Sequence, residues 1–163
     1  MKILALALLL TAALTACTKD DHAGHAHKPG EQHDHGKPKA AKPLAGPKGG
    51  KLLDNTAPRA EFLIGADRRV TVTFYDAQLK PVPASGQVVA VSAEPKAGKV
   101  ALTMAAKDGA FVSQEPLPAG DGYNLIVQVK ATADATPPNF RLTLDLSDCG
   151  GCQLKEYACI CGH

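Results

Sequence analysis

Four of the five cysteines fall within residues 149–163, as Cys149, Cys152, Cys159 and Cys161, and His163 follows them. Written as spacing this is C-x2-C-x6-C-x-C-x-H. Thiolates so close in sequence converge on one small ion when a tight turn points the sulfurs inward, and Gly150-Gly151 lies between the first pair. Several chemistries use such a set. Three or four thiolates, with His163 as an alternate ligand, suit tetrahedral Zn or trigonal-to-tetrahedral Cu(I). The same four cysteines can instead form two disulfides that pin the tail; a bridge across Cys159-Ile160-Cys161 is awkward, so each would reach to Cys149 or Cys152. C-x2-C is also a dithiol redox spacing, but such pairs open a helix whose N-terminus lowers the thiol pKa, and this pair follows a strand pattern.

A second set of ligand-type residues lies at the other end. His22, His25, His27, His33 and His35, five of the six histidines, stand among Asp20, Asp21, Glu31 and Asp34. The two H-x-H pairs place neighbouring imidazoles at adjacent positions around an ion, and neutral imidazole suits Zn, Cu(II) and Ni(II). Without apolar periodicity the segment cannot bury a face, so residues 17–36 are expected to be a disordered arm. Ordering it around an ion costs backbone entropy, which points to weak capture with quick exchange. The bland alternative is a solvated spacer whose histidines merely titrate.

The compartment bears on both sets. Lys2, a short apolar run and small residues make residues 1–16 an export signal, too short to span a bilayer comfortably. Leu14-Thr15-Ala16-Cys17 resembles the lipobox of bacterial lipoproteins. The resemblance implies that the Cys17 thiol is diacylated (a palmitate-type modification), that cleavage precedes it, and that the new amino end is acylated. Thr18 after the cysteine, rather than Asp, favours the outer membrane by the same analogy. Several acyl chains give stable anchoring, so the expectation is an outer-membrane lipoprotein facing the periplasm, partnered by lipid through Cys17. Loss of residues 1–16 leaves 17 basic against 16 acidic residues. That balance, with the compartment, gives no case for nucleic acid. It also leaves four cysteines in oxidising surroundings, which keeps the disulfide alternative open.

The elements that position the cysteines precede them in the chain. Residues 37–50 are rich in Pro, Lys and Gly and form a linker; from Cys17 to Gly50 a random coil spans roughly 30 Å. Residues 51–147 carry short Val-, Ala-, Leu- and Thr-rich runs broken by Gly, Pro and Asp. Strands are expected at 59–64, 70–75, 87–93, 100–106, 110–114, 123–131 and 139–146, with clean alternation in 69–74 and 140–146 and no convincing helix. About seven short strands at this spacing predict an all-β fold, a single immunoglobulin-like antiparallel β-sandwich. With no tryptophan, its core is mostly aliphatic. Leu117-Pro118-Ala119-Gly120-Asp121-Gly122-Tyr123 resembles the tyrosine corner of such sandwiches, in which the tyrosine hydroxyl bonds to backbone just upstream. Residues 148–163 then form a Cys-rich metal-binding or disulfide tail.

Gly46-Pro47-Lys48-Gly49-Gly50-Lys51-Leu52-Leu53 and the later Ala60-Glu61-Phe62 are similar to the G-P-x-G-G-x-L/V-L opening and V/A-E-F/L strand of periplasmic domains in heavy-metal efflux systems, including N-terminal regions of membrane-fusion adaptor subunits. With the 117–123 segment they also resemble the small YtkA-like sandwich domains, over about residues 46–146. Such openings often carry histidine before the double glycine, where this chain has Lys48. Glu156-Tyr157-Ala158-Cys159-Ile160-Cys161-Gly162-His163 is similar to Tyr-x-Cys-Pro-Met-His segments of copper-handling proteins, without the Pro-Met. The resemblances imply metal tolerance, or handover of Cu or Zn to a metal-efflux component. The other expectation is a structural or interaction lipoprotein with a disulfide-pinned tail. No Ser-His-Asp order, phosphate loop or paired acids suggest an enzyme.

Overall fold

Alternation of apolar and polar residues builds two antiparallel sheets whose inward faces share one core. The computed structural model describes residues 43–162. Its ten strands are β1 (Lys51–Leu53), β2 (Arg59–Ile64), β3 (Val70–Tyr75), β4 (Pro81–Val82), β5 (Val88–Glu94), β6 (Val100–Leu102), β7 (Met104–Lys107), β8 (Ala110–Ser113), β9 (Asn124–Lys130) and β10 (Asn139–Thr143). One sheet runs β1-β2-β3-β8-β7, with β4 also on β3; the other runs β10-β9-β5-β6. The orders β2-β3-β8-β7 and β10-β9-β5-β6 match the A-B-E-D and G-F-C-C′ orders of an immunoglobulin-like sandwich.

Phe62, Ile64, Val70, Val72 and Phe74 face inward from the first sheet, and Val89, Val91, Leu125, Val127 and Val129 from the second. The strand count exceeds the expected seven for identifiable reasons. Residues 100–106 read as one strand, but β6 pairs with β5 and β7 with β8, so the chain changes sheets at Thr103. There the Thr103 carbonyl accepts from Gln114 N–H at 2.9 Å and its own N–H donates to Glu115 Oε2 at 3.1 Å. β1 and β4 are too short to show a period, and β4 begins with a proline at a sheet margin.

The tyrosine corner is present. Tyr123, buried just before β9, donates its hydroxyl to Pro118 O at 2.7 Å. Arg68 Nη2 reaches the same carbonyl at 2.6 Å and Gly120 O at 2.7 Å, tying the corner to the turn between β2 and β3.

The outer face of β2 and β3 is covered by residues 46–50. Glu61, 1% exposed, accepts from Lys48 N–H at 2.9 Å, Gly50 N–H at 2.8 Å and Tyr75 Oη–H at 2.6 Å. A Cβ on Gly46 would collide with the Glu61 carboxylate, and one on Gly50 with Phe62 O, so only glycine allows this approach. The G-P-x-G-G opening and the glutamate in β2 are thus one unit, a buried carboxyl group whose oxygens are satisfied by amide and hydroxyl donors. Burial of Tyr75, reinforced by its bond to Glu61, pushes that phenol well above its usual range.

Candidate metal centre

The chain beyond β10 does not leave the sandwich. Leu144 is buried, and its N–H donates to Tyr123 O at 2.8 Å. A single 3-10 turn at Glu156–Ala158 then folds back, with Glu156 N–H on Ser147 O at 3.0 Å and Tyr157 N–H on Asp145 O at 3.2 Å. Tyr157 and Ala158 join the core. The Tyr157 ring meets Phe62 edge-on, centroids 6.1 Å apart, and its hydroxyl oxygen accepts from Ile64 N–H at 3.0 Å. Tyr157 is the residue that sequence reasoning missed as an anchor; its signal was the lone aromatic among residues 149–163.

This docking carries the two cysteine pairs to one place. The first pair lies on a tight turn held by an antiparallel bridge between Asp148 and Lys155. Within it, Cys149 N–H donates to Leu154 O at 2.7 Å and Gln153 N–H to Cys149 O at 3.0 Å, with Gln153 left-handed at φ 60°. The side chains of Lys155 and Asp148 close the turn with an exposed ion pair at 2.7 Å. Cys159 follows the 3-10 turn directly, and Lys51 Nζ in β1 donates to its carbonyl at 3.4 Å.

The four sulfurs all lie within 4.8 Å of one another. Cys149 Sγ is 3.2 Å from Cys159 Sγ and 3.8 Å from Cys161 Sγ; Cys152 Sγ is 3.8 Å from Cys159 Sγ. A tetrahedron with metal–sulfur bonds of about 2.3 Å has sulfur–sulfur edges of ~3.8 Å, so the set is sized for a single ion. No disulfide joins these four sulfurs, and the 3.2 Å between Cys149 Sγ and Cys159 Sγ is well beyond a disulfide bond of about 2.05 Å. Cys149 is buried, Cys152 and Cys159 half-buried and Cys161 exposed. Gly151 sits against the cluster: a Cβ there would lie 2.8 Å from Cys161 Sγ.

Proton affinities differ among Cys152, Cys159 and Cys161. Backbone N–H groups of Ile160 and then Leu154 favour the Cys152 thiolate and push it down to about 6. The hydrogen bond to Cys152, with a further one to Cys159, pushes the Cys161 thiol up to about 12. At Cys159 the bond from Cys161 N–H at 3.2 Å favours the thiolate, but thiol hydrogen bonding to Cys149 and burial outweigh it and leave the group raised. A Cys152 thiolate beside protonated Cys159 and Cys161 is what such crowding produces without a cation. A divalent or soft monovalent ion relieves the crowding by replacing those protons.

The structure brings Cys149, Cys152, Cys159 and Cys161 together. Cys17, His22, His25, His27, His33, His35 and His163 lie outside the described residues. Sequence spacing gave no indication of the Gly151 contact or of the amides on Cys152, which depend on how the turns close. The cluster can hold a metal ion. No family model matches the chain, and no curated protein or solved structure matches it either.

Proposed function

We propose that this chain is a non-catalytic, lipid-anchored extracytoplasmic protein that binds a thiophilic or borderline ion, Cu or Zn. The reading rests on one observation, four cysteine sulfurs within 4.8 Å at the edge length of a tetrahedral thiolate site. Cys149, Cys152, Cys159 and Cys161 are its ligands, with His163 as an alternate. The lipobox at Cys17 supports tethering to the outer membrane on the periplasmic side. The histidines at 22, 25, 27, 33 and 35 would concentrate ions weakly near the tighter site. The biological setting is metal tolerance, or handover to an efflux component.

A second reading, a structural lipoprotein with a disulfide-pinned tail, draws on the 3.2 Å between Cys149 and Cys159. Against it, the tail is already pinned by Tyr157, Ala158 and the backbone bonds at Ser147 and Asp145, so a disulfide has little left to fix.

Mass spectrometry of the soluble form lacking residues 1–17, isolated from periplasm without reductant, separates the two. Four free thiols with one stoichiometric ion, lost on deletion of residues 149–163, are expected. A mass four hydrogens short with no ion would overturn the metal reading.

A further inference from the structure

Metal sites of four thiolates differ chiefly in whether an incoming ligand can reach the ion. A site walled on all sides releases metal only by unfolding; one with an exposed ligand exchanges it without dissociating first. The four sulfurs here are graded rather than equivalent. Cys149 is 2% exposed and held through both its N–H and its carbonyl within the turn. Cys159 leaves the 3-10 turn that Tyr157 and Ala158 fix in the core, and its carbonyl receives Lys51 Nζ. Cys152 accepts amide bonds from Leu154 and Ile160. Cys161 is the exposed member, and Gly162 after it is in the left-handed region with open space where a Cβ would be. On its inner side Cys161 Sγ lies 2.8 Å from where a Cβ on Gly151 would be, so the glycine leaves the sulfur room that any side chain would take.

We propose that the cluster is a transfer site, in which Cys161 is the leaving ligand and the acceptor is a protein surface bearing a pair of cysteine thiols. The step rests on the metal-site reading above. An acceptor thiol approaches from the exposed side, its sulfur bonds to the ion, and the bond from the ion to Cys161 Sγ breaks. The proton released by the acceptor thiol goes to the Cys161 thiolate. Charge and oxidation state are conserved, and no oxidant is required. Cys149 and Cys159, with Cys152, hold the ion while the first bond is exchanged. A thiol acceptor is favoured over a carboxylate or imidazole one because each exchange then replaces like with like, and an ion held by soft sulfur gives up little in passing to soft sulfur.

Two measurements on the full chain, loaded with one equivalent of Zn(II), test this. In the first, a synthetic peptide with two cysteines in C-x2-C spacing is added, and zinc on each partner is followed by native mass spectrometry. The rate should rise in proportion to peptide concentration, and Cys161→Ser should transfer at least tenfold faster, having lost the bond that must break. A rate independent of peptide, or equal rates for the two proteins, overturns the proposal. In the second, limiting iodoacetamide on the zinc-loaded native protein should modify Cys161 at least tenfold faster than Cys149, Cys152 or Cys159, read by peptide mapping. Another cysteine reacting first overturns the proposal even if Cys161→Ser fails to fold. Failure of the native protein to take up zinc overturns the metal-site reading itself, and this step with it, and is told apart by the loading stoichiometry.

Discussion

At the scale of single residues, the thiol cluster shows how four chemically identical side chains acquire different roles from their backbone surroundings. In the metal-free protein Cys152, pushed down to about 6 by the Ile160 and Leu154 amides, is ionised at neutral pH, while Cys161, pushed up to about 12 mainly by its bond to Cys152, keeps its proton. From the unperturbed thiol value of 9.0, the depressed Cys152 stabilises the fold above that value and loses its contribution as pH falls through about 6. The raised Cys161 contributes fully below 9.0 and loses its contribution as pH rises through about 12. At pH near 7, limiting iodoacetamide on the metal-free protein should therefore modify Cys152 before Cys161, the reverse of the order expected with zinc bound. Cys161 reacting first in both forms would show that exposure, not ionisation, governs the metal-free cluster. Gly151 is the second residue-scale case. A methyl group there meets Cys161 Sγ at 2.8 Å, so Gly151→Ala must push one ligand off the tetrahedron. Displacing a ligand or its support typically costs 10–100-fold in metal affinity. Competition against a zinc chelator should show at least a tenfold loss for G151A, whereas Gly150→Ala, with nothing within 4 Å of the added methyl group, should change little.

At the scale of elements, the two tyrosines that close on backbone separate stability from site integrity. Tyr123→Phe removes the hydroxyl bond to Pro118 O and the longer one from Arg68 Nη2 at 3.3 Å, at the corner before β9, and should lower the unfolding free energy by about 1 kcal/mol. Its zinc affinity should be unchanged, since the corner touches none of the cysteines. Tyr157→Ala is different. It empties a core position against Phe62, strips the partner from Ile64 N–H and releases the turn that sets Cys159. Large-to-small changes of this kind cost about 3–5 kcal/mol, and zinc affinity should fall with stability. Chemical denaturation of both variants, with and without zinc, checks this; a Tyr157→Ala protein with native zinc affinity would mean that the cup closes without its anchor. The elements also show what the sequence made legible. β3 stands where the alternation of residues 69–74 places it, because Val70, Val72 and Phe74 all face the shared core. The break inside residues 100–106 was not legible, because both halves are short apolar stretches, and the sheet each joins is decided by partners far along the chain. Likewise the cysteine spacing announced a common site, while the exposure of Cys161 and burial of Cys149 were set by Tyr157 docking on β2, which spacing does not encode.

At the scale of the whole molecule, the site is an extension of the sandwich rather than an appendage. Tyr157 and Ala158 lie in the same core as the inward residues of β2, β3, β5 and β9. An ion that binds the folded cluster more tightly than the unfolded chain therefore raises the stability of the entire domain, by about 4 kcal/mol at a free concentration of 1,000 Kd. The histidines of residues 22–35 have no such coupling to the core in the proposed scheme, since a solvated arm can bind an ion without adding to the free energy of folding. The two classes of ligand are thus distinguishable in one titration. Calorimetry of the protein lacking residues 1–17 with Zn(II) should show one tight equivalent followed by weaker ones, and thermal unfolding should rise with the first equivalent and level off. Replacing all five arm histidines should remove the weak phase and leave the thermal shift in place. Replacing Cys149 and Cys159 together should abolish the thermal shift and leave the weak phase. Both phases should weaken as pH falls, because protons compete for thiolates and imidazoles alike. If the five histidine substitutions instead erased the thermal shift, the stabilising ion would be held by the arm, and the thiol cluster would lose its standing as the principal site.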